Sequence, residues 1–370
     1  MRLTGGNKAE SFTTFLCESP HIRPLVKNLI LKGQNRAFYG DIGWLHISVQ
    51  ALADMVVSLP QLTSLTLELV QFLSTEEAAV SCSSPIHLDT LVMRRTSAGS
   101  DLDDPYDPRP AFELLSLFSN IDVLSVDKIS SIGDHIDDFT TKEQIEENMV
   151  ALKDSLVLKV RSLRLRRLSQ LPPLFWLEYL QNAPSQGMLT DLSVHADIVD
   201  DITSFGSLIR KSGGTLTTVE LDFTKCSVPG VVDSIPEHID LTVCKHLQSV
   251  HVAIGATPMR TFPKLLRDLP TTLRHITLEF EVSPNLTSWE KSFAELDWQS
   301  MESSWLALPS LASVTFVLQR EPKVGFSSVQ KRVIQGRLPG LDQRGLLNFG
   351  LEGFHSNDED EEDEDTEDED

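Results

Sequence analysis

The chain has 370 residues, 41% hydrophobic and 23% charged, an ordinary composition with ample apolar material for a core. Its net charge of −22 is unevenly spread: Asp358 to Asp370 hold twelve carboxylates and one Thr, which leaves the body at −10. That balance argues against nucleic-acid phosphates and anionic lipid headgroups as partners.

In chain order, residues 1–18 lack the apolar run of a signal peptide and read as a lead-in or cap. From residue 19 to residue 350 a short leucine motif recurs. A weak first copy spans Leu25 to Leu31. Trp44 to Leu59 has apolar residues at helical spacing and predicts a helix ending before Pro60. The clearest copy follows as Leu59-x-x-Leu62-x-x-Leu65-x-Leu67-x-Leu69. A weaker one lies at Leu88 to Met93. Ala98 to Pro110 is acidic and proline-rich and reads as a surface excursion. Pro110 to Phe118 predicts a helix that opens on proline. A copy at Ile121 to Val126 precedes the polar, acidic insertion Ser130 to Asn148, and another lies at Val160 to Leu165. Pro173 to Leu180 predicts a helix, Leu189 to Val194 a further copy, and Asp201 to Lys211 a helix stopped by Gly213-Gly214. Leu216 to Phe223 and Leu247 to Ile254 repeat the motif. Phe262 to Leu269 predicts a short helix, Leu273 to Phe280 another copy, and Trp289 to Leu308 the longest helix. The last copy is Leu308 to Leu318. Residues 351–370 end in NDEDEEDEDTEDED, which repels itself and has nothing to bury, so this tail is expected to be disordered.

Strict alternation over four to six residues in each copy is the pattern of a half-buried strand. The first alternating positions are Leu29, Leu65, Leu91, Leu124, Leu163, Leu192, Val219, Val250, Ile276 and Val314, spaced 26 to 39 residues apart. Strands alternating with helices imply parallel pairing through right-handed crossovers. The expected fold is therefore α/β: an irregular leucine-rich-repeat solenoid, with a curved parallel sheet inside, helices outside and a disordered acidic C-terminal tail. The asparagine usual after the core motif is missing. Gln34, Val70, Thr96 and their counterparts hold its place, so backbone groups there need other partners.

The residues between the buried positions would line the inner surface. One column reads Lys32, Glu68, Arg94, Asp127, Arg166, His195, Asp222, Ala253, Glu279 and Val317. Its nearly alternating signs fit a self-satisfying cross-strand ladder, and they also fit a recognition strip. His195, Glu220, Asp222 and His251 on successive strands read as a solvated polar surface, or as a metal or acid–base group. Arg161, Arg164, Arg166 and Arg167 form a basic cluster able to take an acidic peptide, a phosphate or the chain's own tail. The candidate partner-binding set is Arg94, Arg164, Arg166, His195, Glu220, Asp222, His251 and Glu279. There is no GxGxxG, P-loop, GxSxG or HExxH, so no catalytic, cofactor or metal residue is assigned and no enzyme is expected.

Several stretches together resemble the leucine-rich-repeat region of fungal F-box-like proteins of the kind expanded in basidiomycetes. They are SPHIRPLVKNLILKG from Ser19, LLSLFSNIDVLSV from Leu114, the stretch from Leu189 to Phe223, LPSLASVTFVL from Leu308 and RLPGLDQRGLLNFG from Arg337. The resemblance covers residues 12 to 350. It implies an irregular α/β solenoid that recognises substrates within a cullin-type ubiquitin ligase. The F-box that docks a Skp-type adaptor has no counterpart here: no LPxExLxxIF-like stretch occurs. The expected role is a non-catalytic protein-interaction module. The alternative is an acidic-tailed leucine-rich-repeat regulator, resembling either the Ran GTPase-activating protein or the acidic leucine-rich nuclear phosphoproteins that bind histones.

Cys17, Cys82, Cys226 and Cys244 are far apart without CxxC spacing, which disfavours a zinc site or a disulfide framework and suits a reducing compartment. No segment approaches the roughly 18 uninterrupted apolar residues of a membrane span. Cytoplasm, nucleus or both are the expected locations.

Overall fold

The computed structural model describes residues 2–4, 8–35, 42–73, 86–98, 109–127, 158–166, 187–196, 199–226, 235–255, 262–281, 296–319 and 326–350. The expected helix at Pro173 to Leu180, the insertion Ser130 to Asn148, most of the excursion Ala98 to Pro110 and the tail 351–370 lie outside the described residues.

A twelve-stranded parallel sheet runs through the chain. Its strands are β1 (Arg2–Thr4), β2 (Asn28–Lys32), β3 (Ser64–Glu68), β4 (Ile86–Arg94), β5 (Phe118–Asp127) and β6 (Lys159–Arg166). They continue as β7 (Asp191–His195), β8 (Thr218–Phe223), β9 (Ser249–Ile254), β10 (His275–Glu281), β11 (Ser313–Gln319) and β12 (Leu347–Gly350). Each inner strand is hydrogen-bonded to the strand before it and the strand after it in chain order, and β1 and β12 are the edges. Helices intervene: α1 (Lys8–Glu18), α2 (Val49–Val57), α3 (Arg109–Ser116), α4 (Val199–Ser212), α5 (Phe262–Leu265), α6 (Trp298–Leu306), α7 (Ser328–Arg337) and α8 (Pro339–Gln343).

The ten positions from Leu29 to Val314 named above are lateral neighbours in one unbroken register, and β12 continues it with Leu347. All ten are buried. Two residues on, Leu31, Leu67, Met93, Val126, Leu165, Val194, Leu221, Val252, Leu278 and Phe316 form a second buried column. Both columns share one core with Leu52 and Met55 of α2, Leu114 of α3, Phe205 of α4, Leu265 of α5 and Trp305 of α6. Burying each such side chain stabilises by about 1.5–3 kcal/mol. Near the C-terminal end, Phe316 stacks between Phe280 and Phe349, with ring centroids 6.2 and 6.1 Å away.

The backbone supplies what an asparagine ladder would have supplied. Beyond the strand ends, the amides of Gly33, Leu69, Arg95 and Ala196 donate to the carbonyls of Glu68, Arg94, Asp127 and Asp222 on the next strand. At the strand entries one carbonyl takes two amides of the following repeat: Lys27 receives Thr63 and Ser64, Thr190 receives Thr217 and Thr218, and Gln248 receives Arg274 and His275.

Leu69 and Arg95 follow β3 and β4 at equivalent places, with φ of 53° and 46°. This left-handed backbone costs a non-glycine residue roughly 1–2 kcal/mol. It turns the chain into a small second sheet of Leu45–Ser48, Val70–Leu73 and Ser97–Ala98.

That sheet corrects the helix expected over Trp44 to Leu59. Leu45 and Ile47 alternate as a buried strand face, and the helix begins at Val49, where the Ser48 hydroxyl accepts from the Ala51 amide 3.1 Å away. Similarly, α3 stops at Ser116 and Phe118 already opens β5, and α5 is only four residues long. Of the span Trp289 to Leu308, the described part is α6 from Trp298, capped by Asp297. The elements α1, β1, α7, α8 and β12 had no counterpart among the expected helices and strands. Ser327 and Gln330 close a capping box on α7, and Glu302 of α6 accepts the Gly340 and Leu341 amides at the start of α8, at 2.6 and 3.2 Å. Among the described residues no helix is long and apolar enough to cross a membrane.

Candidate functional site

Because side chains alternate along a strand, the residues one position after each buried column project from the opposite face of the sheet. All eight candidate residues lie there: Arg94 on β4, Arg164 and Arg166 on β6, His195 on β7, Glu220 and Asp222 on β8, His251 on β9 and Glu279 on β10. The last seven occupy five adjacent strands. Arg94 stands apart, two strands from Arg166, with Glu68 and Asp127 as its lateral neighbours.

The charged column pairs across strands. Lys32 Nζ lies 2.7 Å from Glu68 Oε1. Partly exposed pairs of this kind contribute roughly 0.2–1 kcal/mol. His195, only 7% exposed, donates from Nδ1 to Asp222 Oδ2 across 2.7 Å. The other Asp222 oxygen accepts the Thr224 amide at 2.9 Å and hydroxyl at 2.7 Å. Burial by itself would raise the Asp222 carboxyl, but the bond and charge of His195 and the two Thr224 donors outweigh it and hold the group below its ordinary 3.8.

His251 pairs diagonally, with Nε2 3.1 Å from Glu279 Oε2. Glu279 is fully buried between Ala253 and Val317 in the lateral register, and its Oε1 has no hydrogen-bond partner. Glu220 Oε1 is likewise enclosed and unpartnered. Burial pushes the Glu220 carboxyl above its ordinary 4.5, and the charge of His251, that of Arg166, a Ser193 hydrogen bond and the charge of Arg164 offset only part of this.

An open groove of about 520 Å³ crosses the face from β4 to β8. Asp89, Asp122, Asp191 and Glu220 line it together with Arg161 and Arg164. The three aspartates were missed in the sequence. They occupy the two-residue gap after the leading apolar residue of each motif, where strict alternation breaks and two consecutive side chains leave the core.

His195, Glu220, Asp222 and His251 do not converge as a metal group. His195 bonds Asp222 and His251 bonds Glu279, while Glu220 belongs to neither pair. Among the described residues, the donor atoms that come within 4.8 Å of one another belong to His87, Asp89 and Asp122. These are largely solvated side chains, held by Asn120, whose Nδ2 lies 2.8 Å from His87 Nδ1 and 3.4 Å from Asp122 Oδ1. Of the cysteines, Cys17 is exposed and free, while Cys226 donates to the Ala196 carbonyl from the core. Burial, with Asp240 nearby, pushes the Cys244 thiol up to about 12 and leaves it a packing group.

These observations define an α/β protein built on one long parallel sheet, with an apolar face under its helices and a patterned polar face opposite. No protein-family model and no curated protein matches the chain.

Proposed function

We propose that the chain is a non-catalytic protein–protein interaction module, and that its sheet forms the inner surface of an irregular leucine-rich-repeat solenoid. The observation that carries this reading is the polar face. Ten strands in register present charged and hydroxyl side chains over about 45 Å, at the ordinary spacing of about 4.8 Å per strand. A rigid surface of that breadth suits a macromolecular partner better than a small molecule, because binding it costs little ordering entropy. The resemblance to the repeat region of F-box-like proteins supports substrate recognition for a ubiquitin ligase. The tail's twelve carboxylates favour the second reading, an acidic-tailed regulator of a GTPase or a histone-binding protein.

Affinity purification of the full-length chain from its native extract, with partners identified by mass spectrometry, tests this. A double Arg164→Glu, Arg166→Glu variant reports on the face. A specific partner lost with that variant supports the interaction module, and a Skp-type adaptor with a cullin among the recovered proteins supports the ligase role. Stimulated GTP hydrolysis by a partner would favour the GTPase reading. A salt-sensitive histone complex abolished by deleting residues 357–370 would favour the histone reading. Reproducible recovery of nothing beyond control levels would remove the interaction-module proposal.

A further inference from the structure

The last helices and strand carry a charge opposite to that of the rest of the chain. Residues 326–350 hold Lys331, Arg332, Arg337 and Arg344 against a single carboxylate, Asp342, for a net charge of +3. The rest of the body carries −13. Arg332 and Arg337 are exposed on α7, and among the described residues neither is ion-paired. Lys331 stands over the Phe349 ring of β12, 5.6 Å from its centroid. Phe326, just before α7, meets the same ring edge-on at 5.5 Å. The first turns of α7 are therefore packed beside the end of β12, an edge of the sheet.

After β12 the chain passes through residues 351–357 into residues 358–370 with their twelve carboxylates. A link of that length reaches at most about 25 Å, and a helix of the length of α7 is only about 15 Å long. Short links hold two groups at an effective concentration on the order of millimolar. Charge contacts too weak to persist between separate molecules are then populated within one. Elsewhere the body offers the run less. The arginines of the groove stand among Asp89, Asp122, Asp191 and Glu220, on a strand six places from β12.

We propose that the acidic run, residues 358–370, docks within its own chain on this basic cap, against Arg332 and Arg337 of α7 with Lys331 beside them. Guanidinium groups take carboxylates through charge-assisted hydrogen bonds, and these two have no other anion to serve. The contact is between exposed charges, so it loosens as salt shortens their range from about 10 Å at 0.1 M to about 3 Å at 1 M. The docked run sets negative charge beside β12, an open edge of the kind that otherwise invites strand addition. The inference is independent of the interaction-module reading, because it concerns a contact inside one molecule.

The test is zero-length carbodiimide cross-linking of the full chain, which joins a carboxylate to a lysine amine, with peptide mapping of the monomer fraction. Lys331 reports on the cap. Lys27, exposed just before β2 near the other edge of the sheet, is the reference, and Lys159, exposed on β6, reports on the groove. Residues 358–370 should join Lys331 at low salt and far less at about 1 M salt. Nearness along the chain alone would also favour Lys331, so the deciding comparison is the double variant Arg332→Glu, Arg337→Glu. It should lower the Lys331 yield about 2- to 30-fold, the equivalent of two exposed charge pairs. Arg332→Gln with Arg337→Gln, which removes the charges and adds none, should lower it by a smaller factor. Lys264→Glu with Arg267→Glu makes the same change in net charge at exposed positions on and just after α5, and should leave the yield unchanged. All these side chains are exposed, so each variant should melt close to the parent, which separates loss of the contact from loss of the fold. Equal yields in the cap and α5 variants would overturn the proposal. A Lys331 yield insensitive to salt, or preferential linkage to Lys27 or Lys159, would do the same.

Discussion

His195 and Asp222 sit opposite each other on β7 and β8 and are joined by a 2.7 Å hydrogen bond from imidazole to carboxylate. The same carboxylate holds Thr224 by its amide and its hydroxyl, so one side chain fastens a neighbouring strand and the turn after its own. The folded protein keeps this carboxyl below its ordinary 3.8. Its stabilisation is therefore fully present above the unfolded value and is lost as pH falls through the folded one. Asp222→Asn should lower stability by roughly 1–3 kcal/mol near neutral pH. The gap to the parent should close below about pH 3.8. Urea unfolding at a series of pH values checks this; a gap that does not vary with pH would mean that packing, not charge, is the cause.

Glu220 has the opposite sign. Its folded proton affinity is raised above the ordinary 4.5, so the folded state binds a proton that the unfolded chain has released. Stability then declines as pH rises from 4.5 through the folded value. Glu220→Gln removes the buried charge and should melt higher than the parent at pH 8, with the advantage fading towards pH 4. Thermal unfolding at the two pH values is the measurement, and a variant that melts lower at pH 8 would contradict the argument.

Gly206 lies inside α4, where alanine would ordinarily gain about 1 kcal/mol in helix propensity. Here an added Cβ would collide with the His238 carbonyl. That carbonyl also accepts from Arg210 Nη1 at 2.8 Å. Gly206→Ala should therefore destabilise, by about 1–3 kcal/mol for an overpacked contact. Chemical denaturation should show a lower midpoint; a higher one would mean that the segment around His238 moves aside freely.

Leu221 is fully buried, between Val194 and Val252 in the sheet. Leu221→Ala should cost about 2–5 kcal/mol, the transfer and cavity contributions together. Backbone hydrogen exchange should then quicken most in β7, β8 and β9 and least in β2. Uniform acceleration along the chain would indicate a single all-or-none unit instead.

Leucine spacing made most of the sheet legible, because a period of two read over ten copies fixes both the buried face and the register. The ten positions from Leu29 to Val314 are therefore lateral neighbours as expected. The small second sheet was not legible. Its entry needs left-handed backbone at Leu69 and Arg95, neither of them glycine, and Leu45 to Ser48 lies next to a true helix whose periodicity masks it. β12 was overlooked because Leu347 to Gly350 is short and has no full motif before it. On the polar face, the columns followed from the same period and placed His195 beside Asp222. The bond from His251 to Glu279 is diagonal, joining different columns, and a lateral reading passes over it. The groove aspartates fall where alternation fails, so no periodic rule points to them.

Among the described residues, each inner strand of the long sheet is hydrogen-bonded only to its predecessor and its successor in that sheet. Among the described residues β1 and β12 are the two edges of this sheet and do not pair with each other, so the sheet stays open. A strand gained or lost with its connection shifts everything beyond it by one strand width and leaves every remaining lateral pair intact. The polar face can thus be lengthened, shortened or re-lettered one strand at a time.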